Sequence, residues 1–302
     1  MDKESMLRTL LAVVLCTVVF VVWNMFFAPK PDPEAVNRAQ DNQSVVEGAP
    51  VAPVAPPVVS SAPAEPPLVV HTATYEIGFD KDSGDIRYVN FDAYKLGDEN
   101  VAPRFMRADN KDANYAVFNA GLLSGYTSAV ENKSDGFQVI TFTAANDQFE
   151  VVKQYIVSEN SYEIPMSITV NNLSGTAISV PVTVSIGPGL GEGFDEQRYV
   201  FTGPIIGNKK EYEKKAAEKL KNPILLSNPQ WGGYTSKYFL FSLVSNSFER
   251  GEIVKSGSSA VTQFMTTLTV PASGSGSISD SSLFVGPKHY NSLRAYDIGM
   301  QK

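Results

Sequence analysis

The chain has 302 residues, with 32 acidic against 25 basic side chains and a formal net charge of −7. Residues 1–30 carry Lys3, Arg8 and Lys30 against Asp2 and Glu4, a balance of +1, so the remainder holds −8. An acidic remainder excludes a nucleic-acid binder, which needs a basic stripe for phosphates, and a single cysteine, Cys16, leaves neither a disulfide framework nor a thiolate metal site for the rest.

In chain order, the first element is an uncharged run over residues 9–28. About 20 helical residues rising about 1.5 Å each cover a hydrocarbon core of about 30 Å. A cleavable leader has a shorter apolar region and a small-x-small site, whereas this run ends in Met25, Phe26, Phe27, Ala28 and Pro29. Leu15 before Cys16 is too bulky for lipoprotein processing. Trp23 and Asn24 fit an interfacial belt at the far end, with Lys3 and Arg8 at the near end. Residues 1–28 therefore read as an uncleaved transmembrane signal anchor with its N-terminus in the cytoplasm, although Lys30 and Arg38 on the other side weaken the charge argument for orientation.

Residues 29–67 hold 10 of the chain's 19 prolines among Ala, Val and small polar residues. Proline fixes φ and lacks an amide hydrogen, so this stretch reads as an extended, partly polyproline-II tether. A ligand for an SH3-like groove is the competing reading.

From residue 68 onward the apolar period is two. Tyr162, Ile164, Met166, Ile168 and Val170 alternate with polar residues or proline, as do Ile178, Val180, Val182, Val184 and Ile186. "NNLSG" between these runs predicts a hairpin, and Glu159-Asn160-Ser161 predicts another after "FEVVKQYIV", giving a meander. Pro165 and Pro181 fall on solvent-facing positions, where the missing donor calls for a sheet edge or a bulge. "TYEIGF", "IRYVNF", "FQVITFT", "YFLFSLV", "VTQFMTTLTV" and "SLFVG" are further strands. Many strands with few helices predict a sandwich of antiparallel sheets.

Two stretches read as helices. Residues 209–222 carry Tyr212, Ala216 and Leu220 at i, i+4, i+8 on a charged cylinder, which predicts a surface helix. A basic membrane-binding helix is the sharper reading, but Glu211, Glu213 and Glu218 dilute its charge. Residues 287–296 begin with Pro287, suited to a first helical turn, and offer Tyr290, Leu293 and Tyr296 for packing. Residues 273–279, "SGSGSIS", read as a flexible loop.

Candidate chemistry is sparse. "GPGLGEGFDEQRY" follows a strand, but its glycines match neither dinucleotide nor P-loop spacing, so it reads as a tight connection. Glu192, Asp195 and Glu196 lack the EF-hand pattern and read as solvated carboxylates. His71 and His289 are the only imidazoles, and neither lies in sequence beside a carboxylate partner or a serine elbow. No catalytic, cofactor-binding or metal-binding residue is assigned.

The order of anchor, proline-rich linker and large β domain resembles the N-terminal half of Gram-negative-type YidC membrane protein insertases. "TATYEIGFDKDSGDIRYVNFDAYKL" is similar to the family's opening strand pair, with its turn at Gly84 and Asp85 and its ending at Tyr94 and Lys95. "SIGPGLG" is similar to a mid-domain motif with Gly187, Gly189 and Gly191. "WGGYTSKYFLFSLV" resembles a glycine-then-strand stretch carrying Gly233, Lys237, Tyr238 and Phe239, and "LFVGPKHYNSL" the closing strand and helix with Val285, Gly286, Pro287 and Leu293.

The resemblance implies a periplasmic domain at residues 68–302 with a galactose-mutarotase-like β-supersandwich and a C-terminal helix, held by one span in a bacterial inner membrane. It further implies assistance to insertion and folding of inner-membrane proteins, with nascent membrane proteins and secretion-channel accessory subunits as partners. The family's activity resides in later membrane helices, and the sequence stops at Lys302. The chain is therefore expected to bind rather than to insert. A mutarotase-like sugar epimerase or glycan-binding module is the alternative, disfavoured by the poor histidine supply.

Overall fold

The computed structural model describes residues 66–95, 101–191, 194 and 200–301. The expected anchor, the linker up to residue 65, and Glu192, Asp195 and Glu196 lie outside the described residues. Among the described residues no helix is long and apolar enough to cross a membrane.

Alternating apolar residues give strands, and the strands form two nine-stranded sheets. The first runs in the order β1 (Leu68–His71), β2 (Glu76–Phe79), β3 (Ile86–Asn90), β5 (Ala116–Ala120), β10 (Ile178–Ile186), β17 (Ser259–Val270), β16 (Arg250–Ser256) and β13 (Ile224–Ser227). Beside this path β4 (Arg104–Met106) pairs with β3. The second runs β12 (Tyr212–Lys214), β11 (Gly203–Gly207), β14 (Trp231–Thr235), β15 (Phe239–Val244), β18 (Ser275–Pro287), β9 (Glu163–Asn172), β8 (Phe149–Ser158), β7 (Phe137–Ala145) and β6 (Thr127–Asn132). These neighbours pair antiparallel.

Successive residues on a strand face opposite sides of its sheet, and the two sides of the second sheet serve two cores. Phe142, Tyr155, Ile168, Phe241, Leu283 and Val285 join Phe79, Phe118, Val184 and Phe264 of the first sheet in the main core. Their neighbours Trp231, Leu240 and Phe284 form a smaller cluster with Leu293 and Met300. Helix α1 (Tyr290–Ala295) and the residues after it supply that second cover, and Trp231 Nε1 donates to the Ile298 carbonyl at 2.9 Å.

Several local expectations give way to tertiary structure. "NNLSG" is not a hairpin: β9 pairs with β8 and β18, whereas β10 pairs with β5 and β17 in the other sheet. Asn172 makes that crossing. Buried, it donates to the Thr176 carbonyl at 2.7 Å and the Pro271 carbonyl at 2.9 Å, and accepts from the Ser174 amide at 2.9 Å. The expected hairpin between β8 and β9 does form.

Residues 209–222 are not a helix but strand β12, then a 3-10 turn at Ala217–Lys219. A single isolated stripe gives too little burial to hold a helix, and its residues serve different places: Leu220 is buried in the main core, while Tyr212 packs on the second cluster. Pro287 ends β18 rather than opening the helix, which starts at Tyr290. Residues 275–279 are strand, because β9 offers Asn171, Val170, Thr169 and Ile168 as partners. Pro165 and Pro181 lie in interior strands on exposed positions. Pairing of β9 to β8 stops at Met166 and pairing of β10 to β5 starts at Val182, so each proline sits one residue beyond a neighbour's ladder. A local edge within an interior strand accepts the missing donor as a true edge would.

Candidate functional site

The densest polar constellation grows from the turn between β2 and β3. Asp80 Oδ1 accepts the amides of Asp82 and Ser83 at 3.0 Å, and Gly84 takes the left-handed φ of 69° that closes the turn. A Cβ on Gly84 would come within 2.6 Å of the Phe142 ring, so the turn lies directly on the second sheet. Asp85 follows, buried, accepting the Phe118 amide at 2.9 Å and the Lys153 ammonium at 3.0 Å. Lys153 also donates to the Ser83 carbonyl at 2.6 Å and lies 4.6 Å from the Tyr126 ring centre. Tyr155, two residues along β8, donates to the Gly84 carbonyl at 2.8 Å.

This turn joins both sheets through a buried ion pair. Each charge has its partner and further hydrogen bonds, the condition for tolerating such burial. Burial first, then the Asp85 charge, pushes the phenols of Tyr155 and Tyr126 up, so both stay neutral at ordinary pH. Burial raises the Asp80 carboxyl, but the Arg87 guanidinium at 2.6 Å and the Ser83 groups outweigh it and hold the carboxyl below its usual range. Asp85 and Lys153 neutralise one another away from solvent, so neither is presented to a substrate. Lys153 carried a signal in the sequence: it shares the inward register of Val151, Tyr155 and Val157, where a charge needs a partner.

The other motif residues are placed for close approach. Gly187, Gly189 and Gly191 follow β10, with φ of 108° at Gly187 and 74° at Gly189. A Cβ on Gly187 would stand 2.7 Å from the Tyr234 ring, and one on Gly191 2.3 Å from the Arg104 carbonyl. Tyr234 donates to the Ala260 carbonyl at 2.5 Å, fastening β14 of one sheet to β17 of the other. Gly233 admits the Phe241 carbonyl where a Cβ would be 2.0 Å away. Gly286 admits the Tyr162 ring, and Tyr162 shares a 2.8 Å hydroxyl–hydroxyl bond with Tyr94. Tyr94 and Phe91 meet Phe239 with ring centres 5.3 and 4.9 Å apart, so "AYK" and "KYF" close one aromatic cluster. Tyr238 is 49% exposed and Pro287 is buried at the end of β18.

His71 is exposed on β1, and the structure supplies the partner its sequence surroundings lacked: Glu76 Oε2 stands 3.3 Å from Nδ1. His289 is exposed at the N-cap of α1 and makes no side-chain cap bond. One imidazole thus stands on a strand of the first sheet and the other at the start of α1, beyond the end of β18. Among the described residues no group of three or more His, Cys, Asp or Glu side chains is arranged for a metal.

The family model of the YidC periplasmic domain matches residues 67–302. The chain belongs to the YidC periplasmic domain family. A membrane protein insertase YidC of Syntrophus aciditrophicus is 25% identical over 100% of this chain and 61% of its own length. One from Pelobacter propionicus is 28% identical over 95% of this chain and 57% of its own. The chain thus spans about three-fifths of the length of these curated relatives.

Solved structures place the fold. A galactose mutarotase-like protein from Lactobacillus casei superposes with a TM-score of 0.52 at 9% identity, over 74% of this chain and all of that one. A galactose mutarotase related enzyme from Lactobacillus acidophilus gives 0.50 at 8% identity with the same coverage. The YidC domain here is accordingly a mutarotase-like sandwich of two antiparallel sheets with a short C-terminal helix. At such identity the likeness speaks for fold alone.

Proposed function

We propose that this chain is the anchor-and-periplasmic portion of a YidC-type insertase and works by binding, assisting inner-membrane proteins through contact with nascent segments or secretion-channel accessory subunits. Residues 1–28 hold it in the inner membrane as a single span, residues 29–67 act as the tether, and residues 68–302 work in the periplasm. The observation that carries the reading is the open edge of the second sheet. All six residues of β6 are exposed, β6 pairs only with β7 among the described residues, and Val130 and Phe137 present 44% and 41% of their surface. An exposed strand edge offers backbone donors and acceptors to an extended segment, which adds as a further strand.

Proline removes a donor and blocks such addition. Ala129→Pro and Val130→Pro, one on each alternate backbone position, test it in the membrane-bound chain. At least one should lower the yield of an inner-membrane substrate cross-linked to the chain by about tenfold, the loss of about 1.4 kcal/mol. Unchanged yields with both would remove the edge from the account. The sugar-epimerase reading is tested separately: anomer interconversion by the chain, lost in His71→Ala or His289→Ala, would replace binding with catalysis.

A further inference from the structure

The two sheets end in four edge strands, and three of these are guarded. β1 has four residues and follows Pro66 and Pro67, β13 has four between Pro223 and Pro229, and β12 has three and ends on Lys214. Short length, proline and lysine are common means of stopping a sheet from taking another strand. β6 lacks them: its six residues include no proline or lysine, and its register with β7 is unbroken. That register also tells which backbone groups are free. The Lys133 amide donates to the Phe137 carbonyl at 2.8 Å, and Asn132 stands opposite Gln138, so Lys133 and Phe137 are a hydrogen-bonded pair of the ladder. In an antiparallel ladder such pairs alternate with unbonded ones. Thr127, Ala129 and Glu131 therefore turn their backbone groups to β7, and Ser128, Val130 and Asn132 turn theirs outward. The outward set also lies on the core side of the sheet, because Ser128 stands opposite buried Phe142 and Val130 opposite buried Ile140.

We propose that β6 takes an uncharged, extended segment of unfolded polypeptide as an antiparallel strand, bonded to the backbone of Ser128, Val130 and Asn132 with an apolar residue set beside Val130. The inference rests on the edge-binding reading above and names its ligand class and register. Val130 stands in the middle of the free edge with 44% of its surface exposed, and an apolar neighbour would cover it. On the other face Ala129 leaves room for a β-branched residue, and Phe137, 41% exposed, adds apolar surface at the hairpin end. Charge does not recruit the segment. Glu131, the one charged residue of β6, is already paired with Lys133, so the strand offers a charged ligand no counter-ion. The tether is a poor occupant, because its prolines lack the donors that a ladder needs. An inner-membrane protein exposes uncharged, apolar segments of this kind before its spans become helices.

The test uses the full chain in lipid nanodiscs, with Cys16→Ser and one new cysteine, at Val130→Cys or Ala129→Cys. The probe is a heptapeptide of alternating threonine and valine with a central cysteine, N-methylated on the two residues that flank it. Its central amide can then donate to β6 only when the cysteine lies opposite an outward-facing residue. Disulfide exchange in glutathione buffer should join it to Val130→Cys about tenfold more than to Ala129→Cys, since the shifted register loses hydrogen bonds. Moving the methyl groups onto the central residue and the two valines should reverse that preference. In the first peptide, glutamates in place of the valines should lower the yield about fivefold. Equal yields at the two cysteines with both peptides, or yields indifferent to glutamate, would overturn the proposal. So would chains joined to each other at Val130→Cys in preference to peptide, which would give the edge to a second copy, or yields that rise on deleting residues 29–65, which would give it to the tether. The cross-linking of an inner-membrane substrate to Val130→Pro reads the edge itself. If that yield falls while the peptides show no preference, register and ligand class fail and the edge-binding reading stands.

Discussion

Asp85 and Lys153 set the energetics of the motif at residue scale. Truncating one partner of a buried pair leaves an uncompensated charge, so Lys153→Met should cost about 3–5 kcal/mol, read from the denaturant midpoint at constant slope. Replacing both, Asp85→Leu with Lys153→Met, should recover part of that loss; a double variant as unstable as the sum of the singles would mean the two do not act as a pair. Asp80 carries a pH signature. Its carboxyl titrates lower folded than unfolded, so its stabilisation is present above the unfolded value of about 3.9 and is lost as pH falls through the folded one. Asp80→Asn should therefore flatten the acid limb of a Tm-against-pH curve and lower Tm at neutral pH. A limb identical to wild type would assign the acid sensitivity elsewhere.

The C-terminal cover tests the account at element scale. Leu293 of α1 is buried against the second cluster with Trp231, Leu240 and Phe284. Leu293→Ala should cost about 2–5 kcal/mol, and the Trp231 environment should report the loosening by fluorescence. A shift below about 0.5 kcal/mol would show α1 to be a passive appendage.

Which elements were legible follows from whether their signal was local. The alternation in β8, β9 and β10 is local, and the strands and their buried registers stand where the period placed them. The sheet each strand joins is not local: "NNLSG" has hairpin chemistry, but Asn172 is spent on the Pro271 and Thr176 carbonyls, sending the chain across. Residues 209–222 satisfied a helical spacing by chance, while β11 offered Tyr212 and Lys214 a ladder that the spacing could not reveal. Composition made residues 273–279 a loop, and a free partner on β9 made most of them strand. At the site, Gly84 and Asp85 were visible as a turn, but Lys153 emerges only when the inward register of β8 is taken literally.

For the whole molecule, two sheets, a covered outer face and the open β6 edge of the second sheet give a domain with work for its surface. The buried ion pair fastens β2–β3 to β8, and the Tyr234 bond fastens β14 to β17, so the rim is presented on a braced frame. The most direct measurement is photo-cross-linking in living cells, with benzoylphenylalanine at Val130 or, as the reference, at Tyr238 of the full chain and mass spectrometry of the adducts. The account predicts inner-membrane proteins or secretion-channel subunits joined at Val130 and none of them joined at Tyr238. No protein adduct at Val130, with those same proteins joined instead at Tyr238, would contradict it.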